Sequence, residues 1–418
     1  MQKIVIKGQN ELSGTIKISG AKNAVVSLIP AAILSDGIVT IDNVPDISDT
    51  RNLMEILDVL HCKYTYENET IIMDNKNVKN VSISEELSKK LRASYYFMGA
   101  LLGKYKHVEI YFPGGCQIGQ RPIDLHLKGF EKLGAAITLE GDKYTISADK
   151  LVGSRIYLDM ASVGATVNLI LAATMAEGTT IINNAAKEPE IVNVASLLNT
   201  MGAKIFGAGT SQITIQGVDK LGDARVECIP DRIETGTYVM IGTLLGNNLK
   251  ITGIIEEHIS ALLSKLKDMG LKYKIEDNSI VINKANKLKS TSLRTQVFPG
   301  FATDLGQPMS VILTQATGTS RFVETIYENR MGHIKYLQNM GANIELNGNK
   351  AKITGPTELQ GTFVEATDLR AGAAMIIAAL IAKGTTEITH IEHILRGYEK
   401  IIEKLQNVGA DIKIVEEA

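Results

Sequence analysis

Cysteine is scarce in this chain, and the two signs of charge almost cancel. Cys62, Cys116 and Cys228 are the three cysteines among 418 residues. They are odd in number, far apart and form no CxxC, which argues against a disulfide framework and a zinc site and leaves at least one free thiol. Forty-four Lys and Arg stand against 46 Asp and Glu, a formal charge of −2. No global basic field exists to drive nonspecific nucleic-acid binding, so an anionic ligand has to be held by a local cluster. Long hydrophobic runs are missing too. The longest, residues 371–382, is too short to span a bilayer, and the opening MQKIVIKGQN lacks the apolar core of a secretory signal. A cytoplasmic protein with no membrane or nucleic-acid partner is expected. No GxGxxG after a strand, Walker motif, HExxH or GxSxG occurs, which removes the nucleotide-fold, P-loop, zincin and hydrolase readings.

What is present is a globular composition, 44% hydrophobic and 22% charged, with enough chain for two or three domains. One phrase recurs along it: an amphipathic helix, a small-residue turn, then a strand. It appears as FEKLGAAITL, LLNTMGAKIF, LKDMGLKYKI, LQNMGANIEL and LQNVGADIKI, with a worn copy, LDVLHCKYTY, in which His61 takes the glycine position. The turn residues His61, Gly134, Gly202, Gly270, Gly341 and Gly409 are separated by 73, 68, 68, 71 and 68 residues. Six units of one design fill the chain.

The last unit shows the design most clearly. Residues 371–382 are apolar on all sides, so a helix there is buried all round. TTEITHI alternates as a strand, and Leu395, Tyr398, Ile402, Leu405 and Val408 mark one apolar face of a second helix that ends at Gly409, where a left-handed cap belongs. A short hairpin is expected to follow, DIKIV in this unit and KIFGAGTSQITI in the third. The order is helix, strand, helix, strand, strand. Fully apolar helices have to bury against one another with strands outside, and three units can close around such a bundle. Two similar α/β halves result, with the boundary at Ile229 and Pro230.

Polar residues gather at equivalent places in these units. Lys22, Arg92, Ser162, Arg232, Asp304 and Arg370 each lie 37 to 42 residues before their turn residue, at the head of the buried helix; Arg121, Arg330 and Arg396 head the amphipathic one. Helix N-termini offer unpaired N–H groups and a positive dipole end, so facing halves would form a cleft suited to a polyanion. Against this stand two ordinary readings: single Arg and Lys residues are mostly solvated surface charges, and Asp304 and Asp368 can be plain N-caps. Cys116 lies in FPGGCQIGQRP, whose glycines and prolines imply an irregular, mobile loop, residues 112–122. Arg121 nearby favours a reactive thiolate there. Cys62 and Cys228 read as buried structural residues.

The six-unit layout, GAKNA at residues 20–24, the loop GGCQIGQRP and DLGQP at residues 304–308 together resemble the UDP-N-acetylglucosamine 1-carboxyvinyltransferases, over essentially the whole chain. The resemblance implies two inside-out α/β barrel (prism) domains of three units each: residues 21–229, with a cysteine lid loop at 112–122, and residues 1–20 plus 230–418. It implies transfer of the enolpyruvyl group of phosphoenolpyruvate to the 3′-hydroxyl of UDP-N-acetylglucosamine with release of phosphate, the first committed step of peptidoglycan synthesis.

By the same resemblance Lys22, Asn23, Arg121 and Arg396 contact phosphoenolpyruvate, and Arg330 and Arg370 are further basic residues of that site. Arg92, the segment Arg121, Pro122, Ile123, Asp124 and Leu125, and Ser162, Val163, Asp304 and Ile326 hold the sugar nucleotide. Cys116, Asp304 and Arg396 are the expected catalytic residues. Asp304 positions and deprotonates the attacking hydroxyl. Cys116 protonates the enol methylene, can form a covalent phosphoenolpyruvate or pyruvate adduct, and is alkylated by fosfomycin. Neither metal nor separate cofactor is expected, because Arg and Lys supply the charge stabilisation, and the protein is expected to be a monomer.

One departure is Met160 before ASVGA, where many relatives carry a lysine near the nucleotide phosphates. A sister enzyme of the same fold acts on shikimate 3-phosphate, but it lacks the cysteine loop and carries GNAGTxxRP, which this chain does not. An idle paralogue serving as a sensor or scaffold would need neither Cys116 nor Asp304 nor the matching arginines.

Overall fold

The computed structural model describes residues 2–112 and 123–416. The cysteine loop, with Cys116, Arg121 and Pro122, lies outside them. Two compact units divide the chain: an N-terminal unit of residues 20–112 with 123–229, and a C-terminal unit of residues 2–19 with 230–416. The chain passes from one to the other between Ser19 and Gly20 and again between Ile229 and Pro230.

Six apolar helices carry the two cores. We number them α1 (Lys22–Ala32), α2 (Tyr96–Tyr105) and α3 (Val163–Ala173) in the N-terminal unit, and α4 (Arg232–Leu245), α5 (Gly306–Thr314) and α6 (Leu369–Ile381) in the C-terminal unit. Every residue of α3 from Gly164 to Ala173 is buried, as is every residue of α6 from Arg370 to Leu380. That is what a helix without a polar face requires. Small residues let these helices approach closely: a Cβ at Gly99 of α2 would stand 2.4 Å from the Asn168 carbonyl oxygen of α3.

Each unit contains three sheets, of four, four and three strands in the N-terminal unit and of four, four and five in the C-terminal unit, among the described residues. In the sheet built around α3, a parallel pair joined through the apolar helix is extended by an antiparallel hairpin. Arg155–Tyr157 runs parallel to Thr179–Asn183 across α3, and Gln212–Gln216 and Lys204–Phe206 complete that sheet in antiparallel register, with Ile182 opposite Ile213. Strands outside and helices inside follow the hydrophobic pattern and make each unit the inside-out α/β barrel that the family resemblance implies. The N-terminus completes the C-terminal unit. Gln2–Lys7 lies antiparallel to Thr385–Thr389 and Asp411–Glu416, and Leu12–Lys17 runs parallel to Gly246–Thr252.

All six turn residues have positive φ: 58° at His61, then 96°, 108°, 112°, 101° and 107° at the five glycines. The spacing therefore located a backbone conformation, and glycine is the residue that adopts it without a Cβ clash.

Two local expectations fail. The second helix of the last unit is broken into Glu392–Leu395 and Ile401–Asn407, with Lys400 left-handed at φ 49°. Tyr398 lies in the break, 1% exposed, with its hydroxyl 2.9 Å from Thr237 Oγ1 on α4. A contact distant in sequence thus replaces helical continuity. DIKIV is also not half of a hairpin; it belongs to one strand, paired with the N-terminal strand.

A buried charged cluster fixes the crossing segments inside the C-terminal unit. Ser19 N–H donates to Glu234 Oε2 at 2.8 Å, Lys404 Nζ donates to Glu234 Oε1 at 2.6 Å and to Ser19 Oγ at 2.7 Å, and Ser19 Oγ donates to Glu399 Oε2 at 2.5 Å. Burial pushes the Glu234 carboxyl up to about 7, against the opposing pull of Lys404.

Candidate active site

The cations at the helix heads oppose the positive end of each helix dipole, so each needs a nearby anion when no ligand is bound. In the N-terminal unit Lys22, the first residue of α1, is 2.9 Å from Asp49 Oδ2, and Asp49 is 1% exposed in the first turn of helix Ser48–Val59. Asn23 follows Lys22 and is partly buried. In the C-terminal unit Asp231 caps α4 ahead of Arg232, accepting from the N–H groups of Ile233 and Glu234. Asp368 caps α6 ahead of Arg370, accepting from Arg370 N at 2.8 Å and Ala371 N at 3.0 Å.

Asp304 behaves differently. It lies in the 3-10 turn Thr303–Leu305 before α5 and caps neither that turn nor the helix, which overturns the plain-cap reading for this residue while Asp368 satisfies it. Its Oδ1 accepts from Arg330 Nη2 at 2.7 Å, and its Oδ2 accepts from Arg370 Nη2 at 3.0 Å and Nε at 3.2 Å. Both guanidiniums are deeply buried, with side chains 4% and 3% exposed, against 23% for the carboxylate. Burial alone would lower the pKa of each arginine, but Asp304 beside them raises both instead. Arg330 Nη1 also donates to Thr303 Oγ1 at 2.9 Å. Among the described residues, Arg330 Nε and Arg370 Nη1 are buried donors with no acceptor. Two fully charged, incompletely satisfied guanidiniums beside one half-shielded carboxylate form a seat for an anion carrying several oxygens.

Ile326 is placed by the same network. Glu324, 1% exposed, accepts at Oε1 from the N–H groups of Ile326 (2.7 Å) and Tyr327 (3.2 Å) and from Thr295 Oγ1, and at Oε2 from Thr303 Oγ1. The Tyr327 ring centroid lies 5.1 Å from Arg330 Cζ. Arg330 occupies a turn ahead of Ile334–Asn339, not a helix head, and Arg396 ends the short helix Glu392–Leu395.

Three segments expected to hold the sugar nucleotide converge in the N-terminal unit. Arg92 opens a 3-10 turn, Arg92–Tyr95, that leads into α2. Ser162 caps α3 through Ala165 N at 3.3 Å, and Val163 is its first residue. Ile123, 3% exposed, precedes Asp124 and Leu125 at the start of helix Asp124–Lys132. Tyr95 meets His126 edge to face at 5.1 Å, and a Cβ at Gly164 would stand 2.9 Å from the Tyr95 hydroxyl and 3.0 Å from His126 Cε1. Met160 is 58% exposed beside this region.

His126 Nδ1 is 2.9 Å from Asn168 Nδ2, and Asn168 Oδ1 already accepts from Gly99 N, so the amide donates and the imidazole carries its proton on Nε2. Burial first and Arg92 second push His126 down to about 3; burial likewise lowers His333, 2.8 Å from Ser310 Oγ, to about 4.

A pH dependence of stability follows from these histidines. A folded-state pKa below the unfolded value near 6.5 means that the unfolded chain binds the extra proton, so stability is lost as pH falls below about 6.5. His126 alone should cost the folded state on the order of 2 kcal/mol at pH 5. Glu234 has the opposite sign: its raised pKa adds stability as pH falls from about 7 and offsets His333 within the C-terminal unit. Hydrogen exchange between pH 7 and 5 should therefore show the N-terminal unit losing protection first, and simultaneous loss in both units would refute the assignment.

Sequence reasoning missed Asp49, Thr303, Glu324, His126 and Asn168. Each acts through a partner distant in the chain, and the only local signal was Asp49 in the first turn of a helix.

Comparison with known proteins identifies the fold and the family. The sequence profile of EPSP synthase (3-phosphoshikimate 1-carboxyvinyltransferase) matches residues 6–405. The structure of the enolpyruvyl transferase NikO from Streptomyces tendae superposes with a TM-score of 0.91 at 26% identity, covering 100% of this chain and 99% of that one. EPSP synthase from Acinetobacter baumannii, at 16% identity and a TM-score of 0.78 over the full length of both chains, shares the fold. Fold and site define the class as the enolpyruvyl transferases. UDP-N-acetylglucosamine 1-carboxyvinyltransferase 1 of Streptococcus agalactiae and UDP-N-acetylglucosamine 1-carboxyvinyltransferase 2 of Streptococcus thermophilus are each 49% identical to this chain over 100% of both sequences. The chain belongs to the UDP-N-acetylglucosamine 1-carboxyvinyltransferase family. Among the described residues no helix is long and apolar enough to cross a membrane.

Proposed function

We propose that this protein transfers the enolpyruvyl group of phosphoenolpyruvate to the 3′-hydroxyl of UDP-N-acetylglucosamine, releasing phosphate, as a cytoplasmic monomer at the first committed step of peptidoglycan synthesis. The observation that carries the reading is the buried Arg330–Asp304–Arg370 constellation with its two unused donors. Phosphoenolpyruvate brings a phosphate and a carboxylate, and both compete with Asp304 for the guanidiniums. Once substrate oxygens take over those donors, the Asp304 carboxylate is released to accept the proton of the attacking hydroxyl. The oxygen adds to C2 while Cys116 delivers a proton to C3, converting the methylene to a methyl group. Loss of a proton from C3 with departure of phosphate from C2 then restores the double bond. Charge on the leaving phosphate is carried by arginine, with Lys22, Asn23, Arg121 and Arg396 as its other contacts.

Arg92, Arg121, Pro122, Ile123, Asp124, Leu125, Ser162, Val163 and Ile326 hold the sugar nucleotide in this reading. Its support is the convergence of the segments around Tyr95, His126 and Gly164. The sister activity on shikimate 3-phosphate lacks support, because GNAGTxxRP is absent and GGCQIGQRP is present.

The deciding measurement is phosphate release from phosphoenolpyruvate with each acceptor in turn. Turnover with UDP-N-acetylglucosamine and none with shikimate 3-phosphate is expected; the reverse would end the reading.

A further inference from the structure

Arg370 meets its carboxylate through a single oxygen. Nε and Nη2 both donate to Asp304 Oδ2, while Nη1, in a side chain only 3% exposed, meets no acceptor of good hydrogen-bond geometry among the described residues. A single carboxylate oxygen shared by two donors leaves the guanidinium plane free to rotate about that contact. Tyr398 supplies the missing constraint. Its ring centroid lies 5.4 Å from Arg370 Cζ, within reach of a cation–π interaction in a desolvated setting. Thr237 Oγ1 donates to the Ile233 carbonyl at 2.8 Å, so the contact at 2.9 Å has the Tyr398 hydroxyl donating to Thr237. The ring is thereby fastened to α4 while it faces a cation on α6.

The break in the last helix makes this geometry available. Tyr398 sits between Glu392–Leu395 and Ile401–Asn407, and Arg396 precedes it by two residues on the same turn. A core tyrosine with no functional duty would need neither a cation under its face nor an interrupted helix.

We propose that Tyr398 is a positioning residue for phosphoenolpyruvate binding, aligning Arg370 through its ring while Thr237 fixes that ring in place. The inference rests on the enolpyruvyl transfer reading above. It predicts that damage at Tyr398 appears in the KM for phosphoenolpyruvate and not in that for UDP-N-acetylglucosamine.

The test measures both KM values and kcat for Tyr398→Phe, Tyr398→Leu and Thr237→Val, with folded fraction monitored by circular dichroism. Tyr398→Leu should raise the KM for phosphoenolpyruvate ~10-fold or more, and Tyr398→Phe and Thr237→Val, which keep the ring but loosen it, about 3-fold, while the other KM changes by less than about 2-fold. A kcat that falls in step with folded fraction, at unchanged KM for phosphoenolpyruvate, would reduce Tyr398 to a core residue and overturn the proposal. If Tyr398→Leu does not fold, Thr237→Val and Tyr398→Phe decide on the same criterion. Absence of turnover in the unsubstituted enzyme would refute the function itself, a result distinct from normal turnover with unchanged KM in the variants.

Discussion

Asp304→Asn is expected to lose turnover by about 10² to 10⁴, the usual scale for removing a general base, and to lose stability at the same time. Residue type alone suggests that asparagine would fold normally, since it can occupy the same space. The ion pairs change that expectation. An amide cannot neutralise two guanidiniums whose side chains are 4% and 3% exposed, and breaking a buried pair by removing one partner costs ~3–5 kcal/mol. The loss should be confined to the C-terminal unit, which contains all three residues. It should also be reversible by anions, because phosphate or phosphoenolpyruvate can take the place of the missing carboxylate; at 100 times its Kd such a ligand returns about 2.7 kcal/mol. Thermal unfolding with and without phosphate, alongside steady-state kinetics, separates the two effects. A variant with unchanged Tm would mean that the ion pairs contribute nothing, and near-normal kcat would remove Asp304 from the chemistry.

What was legible in the sequence is what repeats. The spacing of His61 and five glycines located six left-handed turns, and the buried helices begin within a residue or two of Lys22, Ser162, Arg232 and Arg370. Periodicity records local geometry, because a helix face or a cap is written in consecutive residues. Arg330 and Arg370 were chosen by position and family resemblance, but their shared carboxylate joins residues 26 and 66 positions apart. No local pattern encodes such pairs.

The break at Tyr398 was hidden for a related reason. Leu395, Tyr398, Ile402 and Leu405 satisfy a helical period, so the sequence reads as one amphipathic helix, although the Tyr398 side chain is engaged with Thr237 and Arg370. Asp49 is one of 46 acidic residues, and its place in the first turn of a helix says less than its 2.9 Å approach to Lys22. Hydrophobic pattern specifies the scaffold, and long-range polar pairing specifies what the scaffold holds.

Fosfomycin should alkylate one thiol per chain, and that thiol should be Cys116. Cys228 is fully buried, with Sγ 3.5 Å from the Ala21 carbonyl oxygen. Cys62 is 5% exposed and directs its thiol at Asn75 Oδ1, 3.4 Å away; burial pushes its pKa up to about 12, leaving almost no thiolate at neutral pH to open an epoxide. Cys116 stands in a glycine-rich segment five residues before Arg121, where a neighbouring cation favours the thiolate. Intact mass after treatment should show a single adduct, and peptide mapping should place it in GGCQIGQRP. Cys116→Ser should abolish labelling and lower kcat by about 10² to 10⁴, because a hydroxyl is a far weaker acid toward C3. Cys116→Asp should also escape labelling yet keep part of the turnover, since a carboxylic acid held neutral by its surroundings can deliver the same proton. Labelling at Cys62 or Cys228, or full activity in Cys116→Ser, would remove Cys116 from the reaction.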